Sequence, residues 1–190
     1  MTAFTASKPL TYEDLSSLPQ DDGSRYEILR GVLVVTASPS ERHAWITGQL
    51  FMLISAHVKQ NGLGAVYHGP VDVRLTKFDV VVPDLMFLRA DRRYLYTGRQ
   101  AVDGAPDLIV EVLSPSTRSR DLTTKMDLYA QSGVLEYWVV DPATSGVTIY
   151  NRTSFGSFEE IPVVGGVIRS QVLGGMNVAV AEVFPSENDS

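Results

Sequence analysis

Two carboxylates and a lysine in the middle of the chain have the residue types of a phosphoryl-transfer site. Asp84 follows a proline in the apolar segment DVVVPDLMFL, and Glu111 lies in PDLIVEVLSPST. Carboxylates on converging strands can hold a hard divalent cation, which polarises a phosphoryl oxygen and lowers the pKa of a bound water. A nearby lysine such as Lys125 can orient that water or stabilise charge on the phosphate. Spacing alone does not establish the site, because a strand glutamate and a helix lysine can also form a buried structural pair.

Glu111 interrupts a nearly continuous apolar run of residues 109–113. Such runs are typical of strands that are buried on both faces. An ionised carboxylate in a dry core is costly unless a cation or hydrogen-bond donors face it. We therefore expect a metal ion, a lysine or an arginine opposite Glu111.

The next helix offers such a cation. The sequence predicts a helix that begins at Asp121 and ends near Ser132, before Gly133. At roughly 100° per residue, Lys125 lies about 60° from Leu122 on the apolar stripe of this helix, so it is predicted to point inward or at the core boundary. The alternative is an exposed Asp121–Lys125 pair at i,i+4 spacing, which contributes only a few tenths of a kcal/mol.

Glu27 and His43 are possible companions of this group. Glu27 lies in the first strand of a hairpin predicted to turn at Arg30-Gly31, where glutamates are often merely solvated. His43 lies on the apolar face of a helix of about twenty residues, predicted to begin after Ser40 and to end near Gly62. His43 could bind phosphate or assist proton transfer. A lone histidine on such a face is more often a satisfied core residue.

Other polar and aromatic residues are assigned to structure. A second Pro-Asp pair ends in Asp107, four residues before Glu111. At about 3.3 Å per residue, Asp107 is too far along the strand to share a site readily, so the metal role goes to Asp84. Tyr129 and Trp138 are predicted to be core aromatics, and Asp141 a turn residue.

The elements around these residues predict an α/β (α+β) fold with a mixed central sheet flanked by the His43 and Lys125 helices. Residues 106–141 indicate a strand, a helix and a second strand. Pro83 marks a sheet edge, a bulge or a strand end. Short strands separated by glycine-containing turns after Asp141 favour an antiparallel extension. The length favours one domain over residues 11–185, with loose tails at 1–10 and 186–190.

Residues Arg89 to Ala105 have the composition of a surface loop. Four arginines and two tyrosines in this segment form a candidate nucleic-acid contact surface: Arg89, Arg92, Arg93, Arg99, Tyr94 and Tyr96. A solvated excursion between two strands is the alternative.

Composition narrows the class of protein. The net charge of −6 argues against tight, non-specific binding of nucleic acid over the whole surface. The absence of cysteine excludes disulfides and thiolate metal sites and fits a reducing cytoplasm. No apolar run approaches the roughly 18 residues of a membrane span, and the N-terminus lacks the features of an export signal. We expect a cytoplasmic protein.

Taken in order, the motifs resemble a known family. Asp84 within VVVPDLMFL, PDLIVEVLSPST with Glu111, the Asp121-x-x-x-Lys125 pattern and EYWVVDP are similar to the restriction-endonuclease family called Uma-two, of the PD-(D/E)xK nuclease superfamily. The resemblance covers nearly the whole chain. It implies a restriction-endonuclease-like core, Mg²⁺ or Mn²⁺ chemistry, cleavage of DNA phosphodiesters, and Asp84 and Glu111 as the metal carboxylates. It also raises the case for Glu27 and His43 as site residues.

One position departs from the superfamily pattern. The lysine of the usual motif would lie two residues after Glu111, where this chain has Leu113. The resemblance implies that Lys125 takes its place from the following helix. A homodimer is expected because two symmetry-related sites cut both strands of a duplex most simply. A phosphoesterase acting on a small nucleotide, and a binding or assembly module without useful activity, are the alternatives.

Overall fold

The computed structural model describes residues 8–15, 17–18, 24–98 and 101–184. The predicted tails at 1–10 and 186–190 lie outside these residues, apart from residues 8–10. None of the helices in the described ranges is long and apolar enough to cross a membrane.

The strands form two mixed sheets that together make up the centre of the fold. The first sheet has the strand order β2-β1-β5-β4-β7, and only β4 and β7 in it are parallel. Its strands are β1 (Arg25–Leu29), β2 (Val32–Thr36), β4 (Asp72–Thr76), β5 (Asp79–Val81) and β7 (Ala101–Asp103). A tight turn joins β1 to β2, as predicted. Gly31 in this turn has φ +77°, and a Cβ there would lie 2.6 Å from the Cβ of Pro9.

The second sheet has the strand order β11-β10-β9-β8-β6-β3, and its one parallel pair is β8 and β9. Its strands are β3 (Gly64–His68), β6 (Leu85–Arg89), β8 (Leu108–Val112), β9 (Glu136–Asp141), β10 (Gly146–Arg152) and β11 (Phe158–Ile161). The strands β10 and β11 are the predicted antiparallel extension. A separate pair follows, β12 (Val167–Arg169) with β13 (Asn177–Ala179).

The second sheet is buried on both faces. On one face the helix α2 (Glu41–Asn61) packs Ile46, Leu50 and Ile54 against strand residues that include Val110 and Trp138. The opposite face packs against the first sheet and against Tyr129. Because side chains alternate along a strand, Glu111 points to this second face, like Ile109. The apolar run around Glu111 is therefore buried by α2 on one face and by the first sheet on the other.

The helix α2 has the predicted ends. The Ser40 hydroxyl accepts a hydrogen bond from the His43 N–H, and Gly62 ends the helix with φ 62°. This cap fixes the first turn of the helix, where His43 lies. Two short elements are α1 (Tyr12–Leu15) and a 3₁₀ helix over Val180–Glu182.

The helix that carries Lys125 begins earlier than predicted. It consists of α3 (Arg118–Arg120), a π-helical turn (Asp121–Lys125) and α4 (Met126–Ser132), and Gly133 ends it with φ 103°. The expected start at Asp121 was wrong because Thr117 precedes the first turn, so Asp121 is an interior position. Asp121 is 2% exposed.

The segment after β6 is more ordered than a surface loop. It forms a 3₁₀ helix (Ala90–Leu95) and the buried strand β7. Arg92 Nη1 contacts Asp107 Oδ1 at 2.7 Å, and the Arg89 N–H donates to Asp107 at 2.9 Å. Arg92 therefore ties this segment to Asp107, but no residue of the 3₁₀ helix is buried and Tyr94 is 75% exposed, so the nucleic-acid contact surface stays a prediction. Arg99 lies outside the described residues.

Candidate active site

The predicted site residues line one cavity of about 230 Å³. Its walls are the segment from Thr36 to Ser40, which leads into α2, and the segment from Ser114 to Thr117, which leads into α3. The carboxylates of Glu27, Asp84 and Glu111 line it together with Lys125 and Asp121. The structure thus brings together residues from both sheets and from the α3–α4 helix.

Lys125 is the cation that faces Glu111. Its Nζ lies 2.6 Å from Glu111 Oε1, 3.0 Å from Glu27 Oε1 and 3.7 Å from Asp121 Oδ1. The residue is only 3% exposed, so the alternative of a surface pair with Asp121 is excluded. Burial alone would lower the pKa of Lys125, but the surrounding carboxylates, Glu111 first, raise it above its ordinary value. The surrounding carboxylates therefore favour the charged form of Lys125.

Glu111 is held by two donors and crowded by other acids. Its Oε1 accepts a hydrogen bond of 2.6 Å from the Tyr129 hydroxyl, in addition to the Lys125 contact. Burial raises the pKa of Glu111 to about 8, against the opposing pull of Lys125 and with further increases from Asp121, Asp84 and Glu27. The carboxyl groups of this cavity thus repel one another where they are least solvated.

Asp84 lies between the two sheets, in the segment that joins β5 to β6. Pro83 lies just after the end of β5, and a strand end was one of the three positions predicted for it. Asp84 Oδ1 contacts Arg25 Nη1 at 2.7 Å. Its Oδ2 accepts a hydrogen bond from the Val112 N–H at 2.9 Å and lies 3.0 Å from His43 Nε2. Burial would raise the pKa of Asp84, but His43, Arg25 and the Val112 N–H outweigh it and hold the pKa below its ordinary value.

Glu27 and His43 both face the cavity. Glu27 is 3% exposed, and its Oε1 accepts the Val82 N–H at 2.9 Å as well as contacting Lys125. Glu27 is therefore not a solvated hairpin residue. His43 is 8% exposed, and its backbone carbonyl accepts the Thr47 hydroxyl at 2.9 Å. Because His43 also contacts Asp84, it belongs to the polar group that lines the cavity.

The donor chemistry of the cavity suits a hard divalent cation, although the side chains do not surround one. Among the described residues, no group of three or more His, Asp or Glu side chains is arranged to hold a metal ion. Asp84 Oδ1 instead contacts Arg25, and Glu111 Oε1 contacts Lys125. Carboxylate oxygens are nevertheless the ligands that Mg²⁺ and Mn²⁺ prefer. Asp84 and Glu111 as metal ligands stay a prediction.

Three cavity residues were not assigned by sequence reasoning: Arg25, Asp121 as an interior acid, and Arg120. Burial raises the pKa of Asp121 although Lys125 opposes this. Arg120 donates from Nη2 to the Thr36 hydroxyl at 2.8 Å. The i,i+4 spacing of Asp121 and Lys125 was a usable signal for Asp121. Arg25 has no comparable signal, because a lone arginine at the start of a strand is unremarkable.

Three residues assigned to structure, Asp107, Trp138 and Asp141, lie outside the cavity, whereas the buried Tyr129 contacts Glu111 through its hydroxyl. Asp107 is fully buried and contacts Arg92. Trp138 is fully buried, and its Nε1 donates to Glu136 at 2.7 Å. Asp141 accepts from Arg118 at 2.6 Å and from the Ala143 N–H at 3.0 Å, as a turn residue does.

A solved structure described as "a putative nuclease belonging to DUF820 from Anabaena variabilis ATCC 29413" superposes with a TM-score of 0.77 at 18% sequence identity, and the match covers 93% of this chain and 98% of that one. This likeness shows that the two proteins share a fold, which is consistent with the expected restriction-endonuclease-like core. No curated protein matches the chain. The model of the family Uma2, described as "Putative restriction endonuclease", matches residues 12–181, and the chain therefore belongs to the Uma2 family.

Proposed function

We propose that this protein is a divalent-metal-dependent endonuclease that hydrolyses DNA phosphodiester bonds, with the site of a PD-(D/E)xK nuclease. The observation that carries the proposal is the buried Lys125, which contacts Glu111 and Glu27 beside Asp84 in one cavity. A lysine at this place does what the lysine two residues after the strand glutamate would do. The family membership supports a nucleic-acid substrate.

In this proposal Asp84 and Glu111 hold Mg²⁺ or Mn²⁺. When bound, the cation polarises a phosphoryl oxygen and lowers the pKa of a bound water. Lys125 orients the attacking water or stabilises the negative charge that develops on the phosphate. Glu27 keeps Lys125 in position through its 3.0 Å contact.

His43 orients the carboxylate of Asp84 through the 3.0 Å contact to Oδ2. Its position beside the cavity also allows it to bind phosphate or to give a proton to the leaving oxygen. The expected homodimer and the cytoplasmic location belong to this proposal as well. Sedimentation of the purified protein tests the dimer.

The test is cleavage of plasmid and of single-stranded DNA with Mg²⁺ or Mn²⁺. The wild type is compared with Asp84→Ala and Lys125→Ala, which we expect to lower the rate by about a hundredfold or more. Asp103→Ala is the matched control, because Asp103 pairs with Arg74 outside the cavity. Cleavage that is equal in all four proteins would contradict the proposed site and indicate a contaminating nuclease.

A phosphoesterase that acts on a small nucleotide is a second candidate. The small cavity volume of about 230 Å³ and the net charge of −6 favour a small substrate over a long polyanion. The salt dependence of DNA affinity distinguishes the two candidates, since neutralisation of several phosphates gives a steep slope. A flat slope, with hydrolysis of a nucleotide ester that Asp84→Ala abolishes, would favour this second function. Absence of both cleavage and divalent-metal binding would favour a binding or assembly module.

A further inference from the structure

The two oxygens of Asp84 differ in what they contact. Oδ2 meets groups fixed by the fold: the Val112 N–H of β8, at 2.9 Å, and His43 in α2, at 3.0 Å. Oδ1 meets the guanidinium of Arg25 at 2.7 Å. A cation that binds Asp84 therefore approaches Oδ1, where it meets the positive charge of Arg25.

Arg25 is the displaceable cation of the cavity. Its side chain is 27% exposed, whereas that of Lys125 is 4% exposed and lies among three carboxylates. A guanidinium keeps its charge at all ordinary pH values, so Arg25 cannot yield to a metal ion by losing a proton. Repulsion between the two positive charges instead favours movement of the side chain away from Asp84.

Space for that movement exists next to Asp84. Arg25 lines the cavity of the site, and it also lines a neighbouring cavity of about 280 Å³ that is bounded by Pro39, His43 and Phe51. A guanidinium in either place remains close to the cavity that the substrate phosphate must enter. Its planar set of donors suits two oxygens of one phosphate.

We propose that Arg25 exchanges partners during the reaction: it neutralises Asp84 while no divalent cation is bound, and it binds a non-bridging oxygen of the substrate phosphate once the cation occupies Asp84. This inference rests on the proposed function. In this exchange Arg25 weakens the binding of the metal ion and strengthens the binding of the substrate.

Removal of the side chain should therefore change the two affinities in opposite directions. The first measurement is calorimetric titration with Mn²⁺ in the absence of nucleic acid. We expect Arg25→Ala to bind Mn²⁺ about fivefold more tightly than the wild type, the size of one partly exposed ion pair.

The second measurement is fluorescence anisotropy of a short labelled oligothymidylate, with Ca²⁺ in place of Mg²⁺ to limit cleavage. We expect Arg25→Ala to bind this probe about fivefold to tenfold more weakly, because one charge-assisted contact to phosphate is lost. Arg25→Lys keeps the charge but not the planar donors, and it should retain the wild-type Mn²⁺ affinity while binding the probe more weakly. Arg74→Ala, at the pair with Asp103 outside the cavity, is the matched control and should change neither affinity.

The outcomes separate the inference from the proposed function. Tighter Mn²⁺ binding with weaker probe binding supports the exchange, and so does Mn²⁺ binding that appears only in Arg25→Ala. Mn²⁺ affinity that is unchanged or lower in Arg25→Ala, with the wild type binding Mn²⁺, would overturn the exchange and leave the proposed function standing. A lack of Mn²⁺ binding by every variant would overturn the proposed function, and the exchange with it.

Discussion

The fold buries carboxylates in two different ways, and Glu136 and Glu111 are the clearest examples. Glu136 is fully buried, and neutral donors satisfy it: Trp138 Nε1 at 2.7 Å, the Ser170 hydroxyl at 2.6 Å and the N–H groups of Gln171 and Val172 at 3.0 and 3.3 Å. Glu111 is 4% exposed, lines a cavity, and shares a lysine with other acids.

The difference separates a structural carboxylate from a candidate catalytic one. Glu136 fixes the chain at residues 170–172 to the start of β9, and its acceptor positions are filled by hydrogen bonds. Glu111 keeps an excess of neighbouring negative charge beside an open volume. Burial alone therefore does not identify a functional acid; the neighbouring charge and the cavity do.

The largest effect on this comparison is expected from Lys125→Met. The substitution leaves Glu111 and Glu27 without their shared cation, which should lower the free energy of unfolding by about 3–5 kcal/mol. Urea unfolding near neutral pH, with chelator present, measures the loss. The loss in free energy of unfolding should become smaller in acid, because the carboxylates take up protons. A loss below about 1 kcal/mol would mean that these buried acids need no neighbouring positive charge, as expected of protonated carboxyl groups, and the contrast with Glu136 would fail.

A smaller effect is expected from Glu136→Gln. Glutamine replaces one carboxylate oxygen by an N–H₂ group, which then faces N–H or O–H groups that now donate to Glu136. We therefore expect a loss of about 1–3 kcal/mol in the free energy of unfolding. The same variant should keep the wild-type Mn²⁺ affinity in calorimetry, because Glu136 lies outside the cavity. A change in metal affinity at unchanged stability would reverse the roles assigned to the two acids.

The smallest effect concerns the pH dependence of stability. The fold raises the pKa of Glu111 from 4.5 to about 8, because burial dominates. Between these values the folded protein binds more protons than the unfolded chain, so the Glu111 contribution to stability is full below about pH 4.5 and is lost as the pH rises through about 8.

Glu111→Gln removes that contribution. In chelator, the stability of Glu111→Gln relative to the wild type should therefore improve as the pH rises from about 5 to about 8. Unfolding curves at several pH values measure the trend. Parallel stability profiles of the two proteins would show that Glu111 is already ionised at low pH.

Much of the fold was readable from the sequence because local signals agreed with the global arrangement. The Arg30-Gly31 turn, the Ser40 cap, the Pro83 strand end and the Gly133 helix end all occur where the sequence predicted them. The division of the strands into two sheets was not predicted. Pairing between distant strands depends on long-range contacts that periodicity does not encode.

The part of the site that could be predicted is the part where a charged side chain interrupts an apolar segment. Glu111 in an apolar strand required a cation, and Lys125 on the inner stripe of the next helix supplies it. Asp121 was misplaced because the sequence signals for a helix start and for an interior acid are alike. Arg25 and Glu136 were missed because their partners become neighbours only through tertiary packing.

The position of Asp84 between β5 and β6 has a consequence for folding. One sheet supplies Glu27 and the other supplies Glu111, and Lys125 contacts both of them, at 3.0 and 2.6 Å. Neither sheet alone contains the site, so these contacts form only when the two sheets dock. A ligand that binds there stabilises the docked state against every partly folded form and should slow the separation of the two sheets.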